Sequence, residues 1–289
     1  MPWLQLQINS SADDAASIEK VLLDAGAVAV TFQDNANQPL FEPDLGETPL
    51  WQQTKVIGLF DADTNMEYLL TENPQLSTGK VEILEDKDWE REWMENYEAM
   101  PFGKRLWICP SWKTPPNPEA VNVLLDPGLA FGTGTHPTTA LCLEWLDSQT
   151  LENCTVIDYG CGSGILSIAA LLLGAKRLIA VDNDPQALLA TEDNAKRNNI
   201  DPSRMQVLLP HQVTEDIKAD VIIANILAGP LCQLSATLLA LLRPTGKLAL
   251  SGILETQQQM VQAHYQSSIQ FSPAAQLEEW IRLQGQKIN

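Results

Sequence analysis

Residues 156–164 read "VIDYGCGSG", and the fold turns on what this stretch does. An apolar run ends in an acid, and glycines then stand at alternate positions, Gly160, Gly162 and Gly164. A turn that only reverses the chain needs one glycine, or two. Three suggest a backbone that something must approach closely, because a residue without Cβ leaves room and tolerates positive φ. "TVID" reads as a strand, and Ile165, Ile168, Ala169 and Leu172 mark the inner face of a helix after it. The glycines therefore lie in a strand-to-helix turn.

Downstream, the apolar runs "RLIAVD", "MQVLL", "DVIIAN" and "KLALSG" alternate with helical patterns, and "RLWICP" and "AVNVLLD" precede them as short strands. That alternation predicts an α/β domain over 102–289, a mostly parallel sheet with helices on both faces. Residues 1–85 read differently. "WLQLQI" alternates, with Leu4, Leu6 and Ile8 on one face, and Ser11 can cap a helix carrying Ile18, Val21, Leu22 and Ala25 inward. "AVAVTF", "KVIGLF", a helix at Met66, Leu69 and Leu70, and "KVEIL" complete the order strand, helix, strand, strand, helix, strand. This is a small α+β unit of ferredoxin-like order. A recognition module and a structural appendage are both open readings. Between the two units, residues 86–101 place Trp89, Trp93 and Tyr97 four apart, which predicts a linker helix ending near Pro101.

Composition narrows the function. Eighteen basic against 37 acidic residues give a net charge of -19, which repels phosphate backbones and attracts cationic partners. No run is long and apolar enough to suggest a membrane span, and the amino terminus lacks the basic start of a signal peptide. The five cysteines have neither paired nor metal-like spacing. A reduced, cytoplasmic protein without a metal site is expected.

The glycine loop calls for a nucleotide-like ligand. A dinucleotide fingerprint needs a further glycine three residues on, where Ile165 or Ser167 stands, and neither this turn nor "GLAFGTGTH" ends as a Walker loop. Asp158 precedes the turn, and Asp182 ends the next strand, where a carboxylate can accept from both hydroxyls of a ribose. Asp184, before Pro185, already serves as the helix cap. Two ionised acids and no phosphate-binding lysine suit a ligand that is cationic at its reactive end. S-adenosylmethionine (AdoMet) meets that description.

At this point the chain resembles the class I AdoMet-dependent methyltransferases. With "LLDPGLAFGTGTHPTT" (124–139) and "ANILAGP" (224–230) added, it resembles the ribosomal protein L11 methyltransferase family. The resemblance implies a Rossmann-like catalytic domain with a mostly parallel seven-stranded sheet and an amino-terminal substrate-recognition domain. It implies AdoMet contacts at Thr139, Gly160, Asp182 and Asn225, with Phe131 near the methionyl group; Gly162 belongs to the same loop. The Gly-Thr-rich segment is expected to fold over the cofactor.

Asn225 is the candidate for holding the acceptor, since its amide oxygen can take a hydrogen bond from an incoming N–H. Capping of the next helix is an equal alternative. Ile226, Leu227 and Ala228 follow it, where enzymes acting on flat bases commonly have Pro-Pro-aromatic. That favours a flexible alkyl amine, in agreement with the family's substrate, the lysine side chains and terminal amine of the basic ribosomal protein L11. No nucleic acid need be bound. Lysine must lose a proton first, its ordinary pKa being about 10.4. His136 is a candidate base, although desolvation and proton loss to water is the preferred account. An RNA or small-molecule methyltransferase and a non-catalytic nucleotide binder are the rival readings.

Overall fold

The computed structural model describes residues 2–36, 38, 48–85, 98–126 and 136–288. The chain divides into two compact units, Met1–Glu95 and Asn96–Asn289. The division falls inside the expected linker, whose aromatic stripe (Trp89, Trp93, Tyr97) lies outside the described residues.

In the first unit, strands β1 (Trp3–Ser11), β2 (Ala29–Asp34), β3 (Gln53–Asp61) and β4 (Lys80–Leu84) pair antiparallel in the order β2-β3-β1-β4. Helix α1 (Ala12–Asp24) starts where Ser11 accepts the Asp14 N–H through its hydroxyl. Helix α2 (Met66–Glu72) starts where Asn65 does the same for Tyr68. The alternation of β1 buries Leu6 and Ile8 against Ala15 and Leu22 of α1, Val56 and Phe60 of β3, and Leu69 of α2. Val28, within the run "AVAVTF" read as a strand, precedes β2 and is exposed.

The second unit opens with a small sheet, β5 (Met100–Phe102), β6 (Leu106–Cys109) and β7 (Val121–Leu124). Met100 and Pro101 were expected at the end of the linker helix and instead pair with Ile108 and Trp107. The residue before a proline is pushed out of the helical region, and Phe102 finds a buried place against Leu106 only if the chain runs extended.

The main sheet follows the order β10-β9-β8-β11-β12-β15-β13. Its strands are β8 (Thr155–Tyr159), β9 (Arg177–Val181), β10 (Met205–Leu208), β11 (Ala219–Asn225), β12 (Leu242–Leu254), β13 (Ile269–Phe271) and β15 (Trp280–Lys287). The five from β10 to β12 are parallel, and β15 joins antiparallel to β12 and β13. An eighth strand, β14 (Ala275–Leu277), pairs with β15 off this path, so the sheet has eight strands rather than seven. Helices α3 (Pro137–Ser148), α4 (Ile165–Leu172), α5 (Pro185–Arg197), α6 (Ala228–Gln233), α7 (Ser235–Leu241) and α8 (Gln258–Tyr265) complete the unit. Two apolar clusters flank the strands. Leu143, Ile168, Ile223 and Ala249 belong to one; Ile157, Ile222, Leu250 and Tyr265 belong to the other. Alternate residues of the central strands feed the two, which is why these strands read as nearly continuous apolar runs.

Candidate functional site

Strand β8 ends at Tyr159 and the chain enters the glycine turn. Gly160, Gly162 and Gly164 have φ of 84°, 54° and 80°, the left-handed region that only glycine enters freely. The turn is pinned to the end of β9, where Val181 O accepts from Gly160 N at 2.7 Å and from Cys161 N at 3.1 Å. A Cβ on Gly160 would lie 2.2 Å from Ile226 Cγ2, and one on Gly164 would lie 2.9 Å from the Thr191 side chain. Two of the three glycines are thus required by the protein's own packing as well as by any ligand. Cys161 is buried beneath the turn, and burial pushes its thiol pKa up, so it is an inert packing residue.

Asp182 stands one residue beyond β9. Its Oδ2 accepts from Gly162 N at 2.9 Å and its Oδ1 from Asp184 N at 3.0 Å. Asp184 itself caps α5 by accepting from Gln186 N at 2.9 Å, as expected. Both Asp182 oxygens keep further acceptor capacity, and the residue faces a cavity of ≈ 570 Å³ beyond the carboxyl ends of the strands.

Asn225, the last residue of β11, lines the same cavity. It does not cap the following helix, whose N-cap is Leu227. Instead Asn225 Nδ2 donates to Thr139 Oγ1 at 3.3 Å, which leaves its amide oxygen as the acceptor. The backbone after it is wedged in place: a Cβ on Gly252 would lie 2.4 Å from Ile226 O, on the opposite side from Gly160. Thr139 is wholly buried in the first turn of α3, behind Asn225 rather than on the cavity wall.

His136 caps α3: its Nδ1 accepts from Thr138 N at 3.3 Å and lies 2.7 Å from Thr138 Oγ1. Burial lowers its pKa, and Glu278 and Glu279 oppose that shift. Its ring meets Trp280 edge-on, with centroids 5.0 Å apart at 66°. Both rings, with Tyr159, line the cavity. The expectation of no aromatic platform concerned only the residues directly after Asn225, and aromatic surface reaches the cavity from elsewhere in the chain. The residues after Asn225 are aliphatic, but aromatic walls arrive from β8 and from β15, far away in sequence.

Of the expected site residues, Gly160, Asp182 and Asn225 meet around one cavity, Gly162 is tied to Asp182, and Thr139 supports Asn225. Phe131 and most of the Gly-Thr-rich segment lie outside the described residues. Tyr159, Pro210, Leu234 and Trp280 also line the cavity without having been expected there. Tyr159 could have been found as the residue before the first loop glycine; Trp280 carries no local signal. The described lining residues include no lysine or arginine to seat a phosphate, while an acid and apolar walls suit an uncharged nucleoside with a cationic side arm. Among the described residues no three His, Cys, Asp or Glu side chains converge as a metal site.

Comparisons with the family model and with known sequences agree over nearly the whole chain. The family model described as "Ribosomal protein L11 methyltransferase (PrmA)" matches residues 2–288. The protein of that name from Cellvibrio japonicus is 57% identical over 289 residues, covering 98% of both chains, and the one from a Marinomonas species is 55% identical over 295 residues, covering 99% of both. A crystal structure of ribosomal protein L11 methylase from Lactobacillus delbrueckii subsp. bulgaricus superposes with a TM-score of 0.61 at 34% identity, covering 67% of this chain and 100% of that one. A glycine turn pinned to Asp182, an asparagine at the strand end and full-length similarity of this degree have one meaning: the chain belongs to the ribosomal protein L11 methyltransferase family.

Proposed function

We propose that the protein is an AdoMet-dependent protein methyltransferase that modifies lysine side chains and the terminal amine of ribosomal protein L11. The observation that carries this reading is the convergence of Gly160, Asp182 and Asn225 on one cavity, with no phosphate-binding cation among the described residues that line it. Asp182 would hold the ribose hydroxyls, and Gly160 and Gly162 would lie against the ligand. Thr139 acts one step removed, by orienting Asn225. Phe131 is assigned near the methionyl group on the resemblance alone.

Bound AdoMet supplies an electrophilic methyl group on a sulfonium centre. Asn225 Oδ1 accepts a hydrogen bond from the acceptor amine and aims the nitrogen lone pair, and the Thr139 hydroxyl keeps the amide in that orientation. The apolar wall of Ile226, Leu227 and Leu234 disfavours the ammonium form, so the proton leaves to water before transfer. His136 is committed to capping α3, and its lowered pKa makes it a poor acceptor of a lysine proton.

Residues 1–85 form the substrate-recognition domain in this reading, and their strand order is that of a ferredoxin-like fold. They carry 14 acidic and three basic side chains, a field that attracts a basic protein. The linker spans 86–101 and the catalytic domain 102–289. Neither nucleic acid nor membrane is needed, and the reading puts the enzyme in the cytoplasm with its substrate. None of the described helices is long and apolar enough to cross a membrane.

Methyl-labelled AdoMet offered to purified L11 and total RNA in one reaction tests the proposal. Label on L11 amines supports it. Label in RNA would overturn the substrate and keep the cofactor. Asn225→Ala should cut the transfer rate about 100-fold with little loss of AdoMet affinity.

A further inference from the structure

Asp158 is a buried carboxyl group to which the reading above gives no task. It ends the apolar run of β8, two residues before Gly160, and has no exposed surface. Its Oδ2 accepts from Ser167 Oγ at 2.7 Å, while its Oδ1 has no partner among the described residues. Among the described residues its neighbours offer no counter-charge. The flanking strands present Ala180 and Ile223 in register with it. Helix α4 contributes the Ser167 hydroxyl, helix α3 the neutral Cys142 thiol, and the glycine turn the neutral Cys161 thiol. The charged group that acts on it is another acid, Asp182. An ionised carboxylate in such a place is destabilised twice, by lost hydration and by repulsion. Burial, and then Asp182, push its pKa up to about 7, against the pull of Ser167.

We propose that Asp158 carries a proton in the ligand-free enzyme and releases it when the positively charged cofactor enters the cavity beside Asp182. The inference rests on the AdoMet reading of that cavity. Positive charge on the ligand compensates the two acids together, so Asp158 ionises as the ligand binds, and its proton passes to solvent. Cofactor uptake is thereby linked to pH across the neutral range, and the acid serves as a positioning residue beneath the glycine turn.

Calorimetric titration of the full-length protein with AdoMet, in buffers of different ionisation enthalpy, reads the released protons directly. With a pKa of about 7 in the free enzyme, about three-quarters of a proton should leave at pH 6.5. Kd should fall about fivefold between pH 6 and pH 7, below the range in which the ligand's own amine titrates. Asp158→Asn keeps an acceptor for Ser167 but has no proton to lose, so both effects should vanish. Ser167→Ala removes the bond that holds the charged form and should move the pH dependence upward, a displacement that a general packing defect would not produce. S-adenosylhomocysteine, which lacks the sulfonium, should release fewer protons if that centre is the charge sensed and as many if the ammonium is; either result supports the linkage. Tight AdoMet binding without proton release would overturn the proposal and leave the methyltransferase reading intact. Release that survives Asp158→Asn but is lost in His136→Asn would reassign it to the histidine and overturn it. No AdoMet binding at any pH would overturn both readings.

Discussion

The amide nitrogen of Asn225 donates to the hydroxyl of Thr139 across 3.3 Å, joining residues 86 positions apart at the ends of β11 and α3. The bond engages the amide nitrogen and leaves the oxygen as an acceptor. If Asn225 positions the acceptor, the buried threonine controls catalysis without touching substrate. Thr139→Val should lower kcat about five- to tenfold, as expected for one neutral hydrogen bond, and leave the AdoMet Kd unchanged. Thr139→Ser should restore most of the rate. Equal losses in both variants, measured by steady-state kinetics, would assign Thr139 a packing role only.

Asp182 ties the glycine turn to α5 and faces the ligand cavity at the same time. Asp182→Ala should weaken AdoMet binding by about 2–4 kcal/mol, from the loss of charge-assisted hydrogen bonds. Calorimetry showing unchanged affinity would contradict the ribose assignment.

The glycines of this unit are not equivalent. Gly252 has φ 82°, and an added Cβ would lie 2.4 Å from the backbone oxygen of Ile226, which cannot swing away as a side chain can. Gly252→Ala should cost about 3 kcal/mol or more and displace the segment that carries Asn225. Gly229, in α6, meets nothing within 4 Å, so Gly229→Ala should be neutral or stabilising by about 0.5 kcal/mol. Urea unfolding of the two variants separates them.

Tyr265 is wholly buried, and its hydroxyl donates to Leu231 O at 2.6 Å. Tyr265→Phe strands that carbonyl and should cost about 1–2 kcal/mol, with the denaturant m-value unchanged. A loss below about 0.5 kcal/mol would show that the carbonyl finds another donor.

Asp158 also predicts a pH-dependent stability. Its folded pKa is raised above the unfolded value, so its unfavourable effect is absent below about pH 4 and grows until the group ionises near pH 7. Asp158→Asn should therefore leave the Tm of the ligand-free protein nearly unchanged at pH 4. It should raise stability at pH 8, by on the order of 4 kcal/mol if the buried charge is otherwise uncompensated. A stabilisation independent of pH would deny that the carboxyl titrates in this range.

Much of this protein is written locally. The alternation of "WLQLQI", the Ser11 cap, the run "TVID" followed by spaced glycines, and Asp184 before Pro185 each specify a short element through forces acting within a few residues. The structure shows each of them. The Met100–Phe102 strand was missed because charged and aromatic spacing upstream suggested a helix, whereas Pro101 and a hairpin partner for Phe102 decide otherwise. Strands β13, β14 and β15 were not read from the sequence, and the count of seven came from the resemblance; β13 and β14, at three residues each, give no periodic signal of their own.

What only the tertiary structure decided is the company each residue keeps. Sequence could name Asn225 as a site residue but could not exclude that it caps the next helix; the structure gives that cap to Leu227 and ties Asn225 to Thr139, 86 residues away. It could read the glycines as room for a ligand but not as room for Ile226 and Thr191. It could not bring Trp280 and Tyr159 to one cavity, nor leave one oxygen of Asp158 buried without a partner among the described residues. Local propensity and patterning act along the chain and are legible there. Contact, desolvation and the charge state of a buried acid depend on groups dozens of residues away, and these exist only once the sheet has closed over its helices.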